Sequence, residues 1–182
     1  MIRASIKTVG ILIVATSFPT LSNTFKQQHF VVAADDHTEN MDSPRIALSI
    51  VIPIYNEYET LPHLVERVEK GVADYPDTYE IICVDDGSTD GSTDLLKQMV
   101  AHHQHLKAVI FRRNYGQTAA MAAGFDHAQG HTIVTLDGDL QNDPEDIVPL
   151  VDKLNEGYDL VSGWRRNRQD AALTRLLPSK IA

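Results

Sequence analysis

The chain of 182 residues has a single cysteine, Cys83, so it can form neither an internal disulfide nor a multi-cysteine zinc site. Cys83 stands in the strand-like run EIICVDD, where a buried core thiol is expected. Positive charge is scarce: 16 Lys and Arg face 25 Asp and Glu, for a formal net charge of -9. That balance argues against a surface that grips nucleic acid as a whole, while leaving room for a local basic patch. Any phosphate the protein binds is then expected to arrive with a metal ion. No glycine-rich turn follows the first strand-like segment of the regular pattern, where YNEYET stands instead, which disfavours a dinucleotide-dependent oxidoreductase. No repeat period or low-complexity tract occurs. What remains is 43% hydrophobic, enough for one globular domain with a real core.

The first 44 residues differ from the rest and read as a leader or extension, expected to be poorly ordered. VGILIVATSF (9–18) follows Arg3 and Lys7 and precedes VVAAD, the parts of a signal peptide. Its apolar run is about half of what a membrane-spanning helix requires, and the small residues lie far beyond it. A signal, an anchor and a mis-started leader before Met41 all stay open.

From residue 46 two kinds of segment alternate. IALSIVIPIY, YEIICVDD, LKAVIFRR, HTIVTLDGD and YDLVSGW are short and rich in Ile and Val, and predict strands. Between them, TLPHLVERVEKGVADY, STDLLKQMVAHH, GQTAAMAAGFDHAQG and PEDIVPLVDKLNEG carry apolar residues at helical spacing, as at Leu61, Leu64, Val65 and Val68. Asp143 before Pro144 predicts an N-cap with proline at the first helical position. Strands apolar on nearly every residue are covered on both faces. The expected fold is therefore α/β, a mostly parallel Rossmann-like sheet with helices on both faces.

In such sheets ligands sit beyond the carboxyl ends of the strands. Three strand ends there are acidic: PIYNE (53–57), VDDGSTD (84–90) and LDGDLQ (136–141). In an extended segment residues two apart share a side, so Asp137 and Asp139 aim two carboxylates at one region. A divalent cation between them removes their repulsion, and hard oxygen ligands favour Mg²⁺ or Mn²⁺. Gln141 adds an amide oxygen, and Gly138 lets a ligand approach the backbone. Read alone, the same residues also suit a solvated turn. Asp85 and Asp86 follow the second strand, with Ser92 or Thr93 as candidate helix caps and Ser88, Asp90 and Asp94 as turn-ordering residues. Tyr55 offers a flat surface for a base, Glu57 an acceptor, and Pro53 fixes the strand end. Arg165, Arg166 and Arg168 form a basic group.

SIVIPIYNE, YEIICVDDGSTDGS, RRNYGQTAAMAAGFDHAQG, TLDGDLQNDPEDI and GYDLVSGWRRNRQD resemble, in order, motifs of the family 2 glycosyltransferases of GT-A fold. More narrowly they resemble the polyprenyl-phosphate sugar transferases, the group of the dolichyl-phosphate mannose synthases and bactoprenol glucosyl transferases. The resemblance covers about residues 46 to 178, within an expected catalytic domain at 45–182. It implies metal-dependent, inverting transfer of a hexose from a nucleotide sugar, of the UDP-glucose or GDP-mannose type, to a polyprenyl phosphate. It implies that Pro53, Tyr55, Glu57, Val84 and Asp86 contact the nucleoside. Asp137, Gly138, Asp139 and Gln141 would hold metal and diphosphate, with Asp137 and Asp139 as the catalytic pair and Arg165 on phosphate. The phosphate acceptor is already largely dianionic at neutral pH, so no base is required. Family members continue beyond Ala182 into an acceptor-side region and membrane helices. The resemblance thus places the protein at the cytoplasmic face of a membrane, with homo-oligomerisation open.

Two other readings are carried. The chain binds a nucleotide sugar without turnover, or it is a Mg²⁺-dependent receiver domain using Asp85, Asp86 and Asp137. The second is opposed by the full strand and helix that precede the aspartate pair, and by D-x-D-x-Q where a receiver needs one phosphoacceptor.

Overall fold

The computed structural model describes residues 12–15, 31–33 and 46–163. In chain order the elements are β1 (Leu12–Ala15), β2 (Val31–Ala33), β3 (Leu48–Ile54), α1 (Leu61–Gly71), β4 (Tyr79–Asp85), α2 (Ser92–Val100), β5 (Leu106–Ile110), α3 (Gln117–His127), β6 (Thr132–Thr135), a 3-10 turn (Pro144–Asp146), α4 (Ile147–Asn155) and β7 (Leu160–Ser162). The sheet runs β2-β5-β4-β3-β6-β1-β7. Its centre, β5-β4-β3-β6, is parallel, as strands joined by helical crossovers must be.

Alternation along β3 and β4 divides the core in two. Leu48, Ile50, Ile52, Ile54, Ile81 and Cys83 face the layer of α1, α2 and α4, where Leu61, Leu64, Val68, Leu96, Leu150 and Val151 meet them. Val51, Ile82 and Val84 face the other way, toward Ala120 and Ala123 of α3. Helices therefore cover both faces. Each fully buried Leu, Ile or Val contributes about 1.5–3 kcal/mol. The helix α3 lies close to the sheet because it is built of small residues. A Cβ on Gly124 would stand 2.2 Å from Val51 Cγ1. Burial and the nearby Asp85 push the Cys83 thiol up to about 12, so it stays a neutral, inert core residue.

Two short pieces within residues 1–44, β1 and β2, are strands. β1 lies between β6 and β7 and is antiparallel to both, and β2 pairs antiparallel with β5. Among the described residues no helix is long and apolar enough to cross a membrane.

Pro53 has a positional reason. Val51 O accepts the Leu136 N–H at 3.1 Å and Ile54 O accepts the Asp86 N–H at 2.8 Å. By alternation, Pro53 turns its backbone toward the β6 side, where pairing has already ended at Val51 with Thr135. Its missing N–H costs no ladder bond there. The chain after β6 peels away, and Gly138 takes the space: a Cβ on it would stand 3.0 Å from Pro53 O. The crevice opens at that split.

Candidate active site

An open cavity of about 410 Å³ lies beyond the carboxyl ends of the parallel strands, lined by Pro53, Ile54, Tyr55, Glu57, Asp86, Asn114, Gly116, Gln117, Asp137, Gly138 and Asp139. Its size is that of a small-molecule site. Four loops converge on it, those after β3, β4, β5 and β6.

The loops after β3 and β4 are laced together. Asn56, in the left-handed conformation at φ 57°, donates its N–H to Ser88 Oγ at 2.8 Å, and its side-chain oxygen accepts the Thr89 N–H at 2.9 Å. Glu57 N–H reaches Ser92 Oγ at 2.9 Å and Tyr58 N–H reaches Asp90 Oδ2 at 3.1 Å. Ser88 and Asp90 thus order the turn. Burial opposes the charge on Asp90, but the Ser92 hydroxyl, with the Ser92 and Tyr58 N–H groups, outweighs it and holds the carboxyl below its usual range. Asp94 pairs with Lys97 on the surface at 3.2 Å. Neither Ser92 nor Thr93 caps α2, whose N-cap is Gly91 at φ 101°. The Ser92 hydroxyl is taken up by Glu57 and Asp90, and the Thr93 hydroxyl donates to Asp85.

Asp86 is 3% exposed. Its carboxylate accepts the N–H groups of Tyr115 and Gly116 at 2.7 and 2.8 Å, clamping the loop that leads into α3. Asp85 is buried and accepts the Ser88 N–H at 3.0 Å. Val84 is fully buried, its side chain packed among the α3-facing core and outside the cavity. The strand pairs on both sides at this position, with β3 at Pro53 and β5 at Val109, so Val84 does not reach the crevice.

The acidic stretch 135–146 divides by role. Asp137 and Asp139 line the cavity. Asp143 caps the 3-10 turn, accepting the Glu145 N–H at 3.3 Å, and stands 3.6 Å from Arg67. Glu145 faces Lys70 at 3.9 Å. Gln141 lies outside the cavity lining, its N–H donated to Asp139 Oδ1 at 3.0 Å. Arg165, Arg166 and Arg168 lie outside the described residues.

Among the described residues no group of three or more His, Cys, Asp or Glu stands together as a metal cage. Two carboxylates on an open crevice fit a different arrangement: a hard cation such as Mg²⁺ is held by one or two carboxylates and completes its shell with water and ligand phosphates. The residues present fit that group.

Asn114, Gly116 and Gln117 also line the cavity and were not among the residues singled out from sequence. RRNYGQ was one of the motifs carrying the resemblance, but its loop lacks an acid. The rule that ligands meet strand carboxyl ends applies to β5 as it does to its neighbours.

Residues 49–181 match the family described as Glycosyl transferase family 2. The chain belongs to that family. The match sets aside the receiver reading. The undecaprenyl-phosphate 4-deoxy-4-formamido-L-arabinose transferase of Klebsiella pneumoniae (strain 342) is 49% identical over 125 residues, which cover 68% of this chain and 38% of that protein. A dodecaprenyl-phosphate galacturonate synthase of Rhizobium johnstonii is 47% identical over 139 residues, covering 75% and 41%. The chain thus spans about two fifths of the length of such relatives. A solved mannosyltransferase of Pyrobaculum calidifontis, in complex with GDP-Man and Mn²⁺, superimposes with a TM-score of 0.50 at 27% identity, covering 58% of this chain and 30% of that one. The fold is the GT-A fold expected from the sequence.

Proposed function

We propose that the cavity is the donor site of a metal-dependent transferase that moves a sugar, with inversion, from a nucleoside diphosphate sugar to a polyprenyl phosphate. The observation that carries this reading is the convergence of Asp137 and Asp139 with Tyr55, Glu57 and Asp86 on one crevice. The relatives named above, which act on undecaprenyl and dodecaprenyl phosphates, support the acceptor class. The GDP-Man and Mn²⁺ of the solved neighbour support the donor class and the metal.

Tyr55, 47% exposed, offers a ring face to the base, and the Glu57 carboxylate offers an acceptor. Asp86 acts on the donor by fixing the loop of Tyr115 and Gly116. Asp137 and Asp139 would hold Mg²⁺ or Mn²⁺, which when bound neutralises the charge that develops on a leaving diphosphate. Arg165 belongs to the same proposal as a phosphate-binding residue, and Gln141 as an outer member of the metal set. Attack by the acceptor phosphate on the anomeric carbon breaks the bond to the diphosphate and leaves the configuration inverted. A lipid acceptor carries with it a membrane surface as the place of reaction, which we place at its cytoplasmic face.

The test is thermal protection of the chain by UDP-glucose, GDP-mannose and nucleotide-linked pentose and uronic acid donors, with Mn²⁺ or with EDTA, followed by transfer to polyprenyl phosphate. The expected outcome is protection by at least one donor class only when metal is present. Protection without transfer would establish a donor-binding unit. No protection by any donor would overturn the reading.

A further inference from the structure

We infer that Gln117 is a positioning residue for the divalent cation, holding the plane of the Asp137 carboxylate without discharging it. The inference rests on the donor-site reading and adds to it a residue outside the acidic motifs. Gln117 Nε2 donates to Asp137 Oδ1 at 3.0 Å. An ionised carboxylate only accepts, so the group facing it is the amide NH₂.

The side chain starts from a fixed point. It is the first residue of α3, directly after Gly116 at φ 94°. The two residues before it give their N–H groups to the buried Asp86 carboxylate. The Tyr115 ring packs edge-on against the buried Phe111, centroids 5.6 Å apart. A Cβ on Gly87 would stand 2.3 Å from the Arg113 carbonyl carbon, so the turn after β4 wedges directly against this loop. Asp86 directly follows β4 and Asp137 follows β6, with β3 between those strands in the sheet. Gln117 spans that gap and ties the two sides of the crevice together.

The residue type matters as much as the reach. Lysine would neutralise Asp137 and compete with the cation, and glutamate would repel it. An amide fixes the orientation and leaves the full negative charge to the metal. Partners that orient a metal-binding carboxylate are worth roughly 10–100-fold in metal affinity.

The experiment measures Mn²⁺ dissociation constants for the full chain, from the spin-resonance signal of free Mn²⁺, with a nucleoside diphosphate present. Gln117→Ala is expected to raise the constant about tenfold and Gln117→Lys to raise it further. Because the side chain is exposed, the unliganded thermal midpoint stays within about 2 °C of the parent. A Gln117→Ala constant within twofold of the parent, in a parent that binds Mn²⁺, overturns this inference and leaves the donor site standing. A parent that binds no Mn²⁺ overturns both.

Discussion

Asp139→Asn is expected to raise the Mn²⁺ dissociation constant, measured with a nucleoside diphosphate present, by about a hundredfold or more. That factor corresponds to about 2.7 kcal/mol. Asparagine keeps the shape and the acceptor oxygen that holds the Gln141 N–H at 3.0 Å, so the loop through Leu140, at φ 59°, keeps its path. What is removed is the charge. With no third acidic or histidine ligand grouped there among the described residues, half of the protein's anionic ligation goes with it. Calorimetric titration and the unliganded melting midpoint together check this: affinity falls and the midpoint holds. A variant that binds Mn²⁺ as the parent does would show that the cation sits elsewhere.

Glu80→Ala is expected to destabilise the fold by about 2–4 kcal/mol while leaving donor and metal binding intact in the folded fraction. Glu80 is 1% exposed in β4, at the end of the sheet opposite the cavity. Its Oε1 accepts the Ser49 hydroxyl at 2.5 Å and the Gln129 N–H at 2.7 Å. Ser49 Oγ in turn accepts the Gly130 N–H at 2.8 Å. The Oε2 atom faces Lys107 Nζ at 2.7 Å, an ion pair not aligned as a hydrogen bond. One carboxylate thus joins β3, β4, β5 and the connection from α3 to β6. Alanine strands the buried Ser49 hydroxyl, at about 1–3 kcal/mol, and takes the acceptor from the part-buried Gln129 N–H, at the low end of that range. Lys107, 38% exposed, finds water instead and adds little. For a domain of this size the melting midpoint falls by about 5–15 °C. Glu80→Gln keeps an acceptor for Ser49 and Gln129 and is expected to lose less than half as much. Equal losses in both variants would place the stabilisation in the charge pair.

The central sheet was legible because its strands are apolar on both faces, and the helices because Leu61, Leu64, Val65 and Val68 repeat at helical spacing. The crevice was legible for a related reason: loops after parallel strands converge, and three of them carry acids. Hydrogen-bond direction was not legible. Asp86 looks from sequence like a ligand contact, yet both its oxygens accept backbone N–H groups of a loop 29 and 30 residues away. Ser92 and Thr93 have the composition of helix caps, yet distant and nearby partners claim both hydroxyls. Val84 is a site residue by the family resemblance alone, and alternation turns its side chain toward α3. Gln117 was not legible because an amide at the start of an alanine-rich helix carries no charge signal. The leader strands escaped because their pairing depends on an open edge of β6 that no local pattern announces.

The most direct test is anomalous diffraction at the manganese edge from crystals grown with Mn²⁺ and a nucleoside diphosphate. The account predicts one strong peak in the crevice, bonded to carboxylate oxygens of Asp137 and Asp139 and to the diphosphate. Well-ordered nucleotide with no manganese there, or with those two side chains turned to solvent, would contradict it.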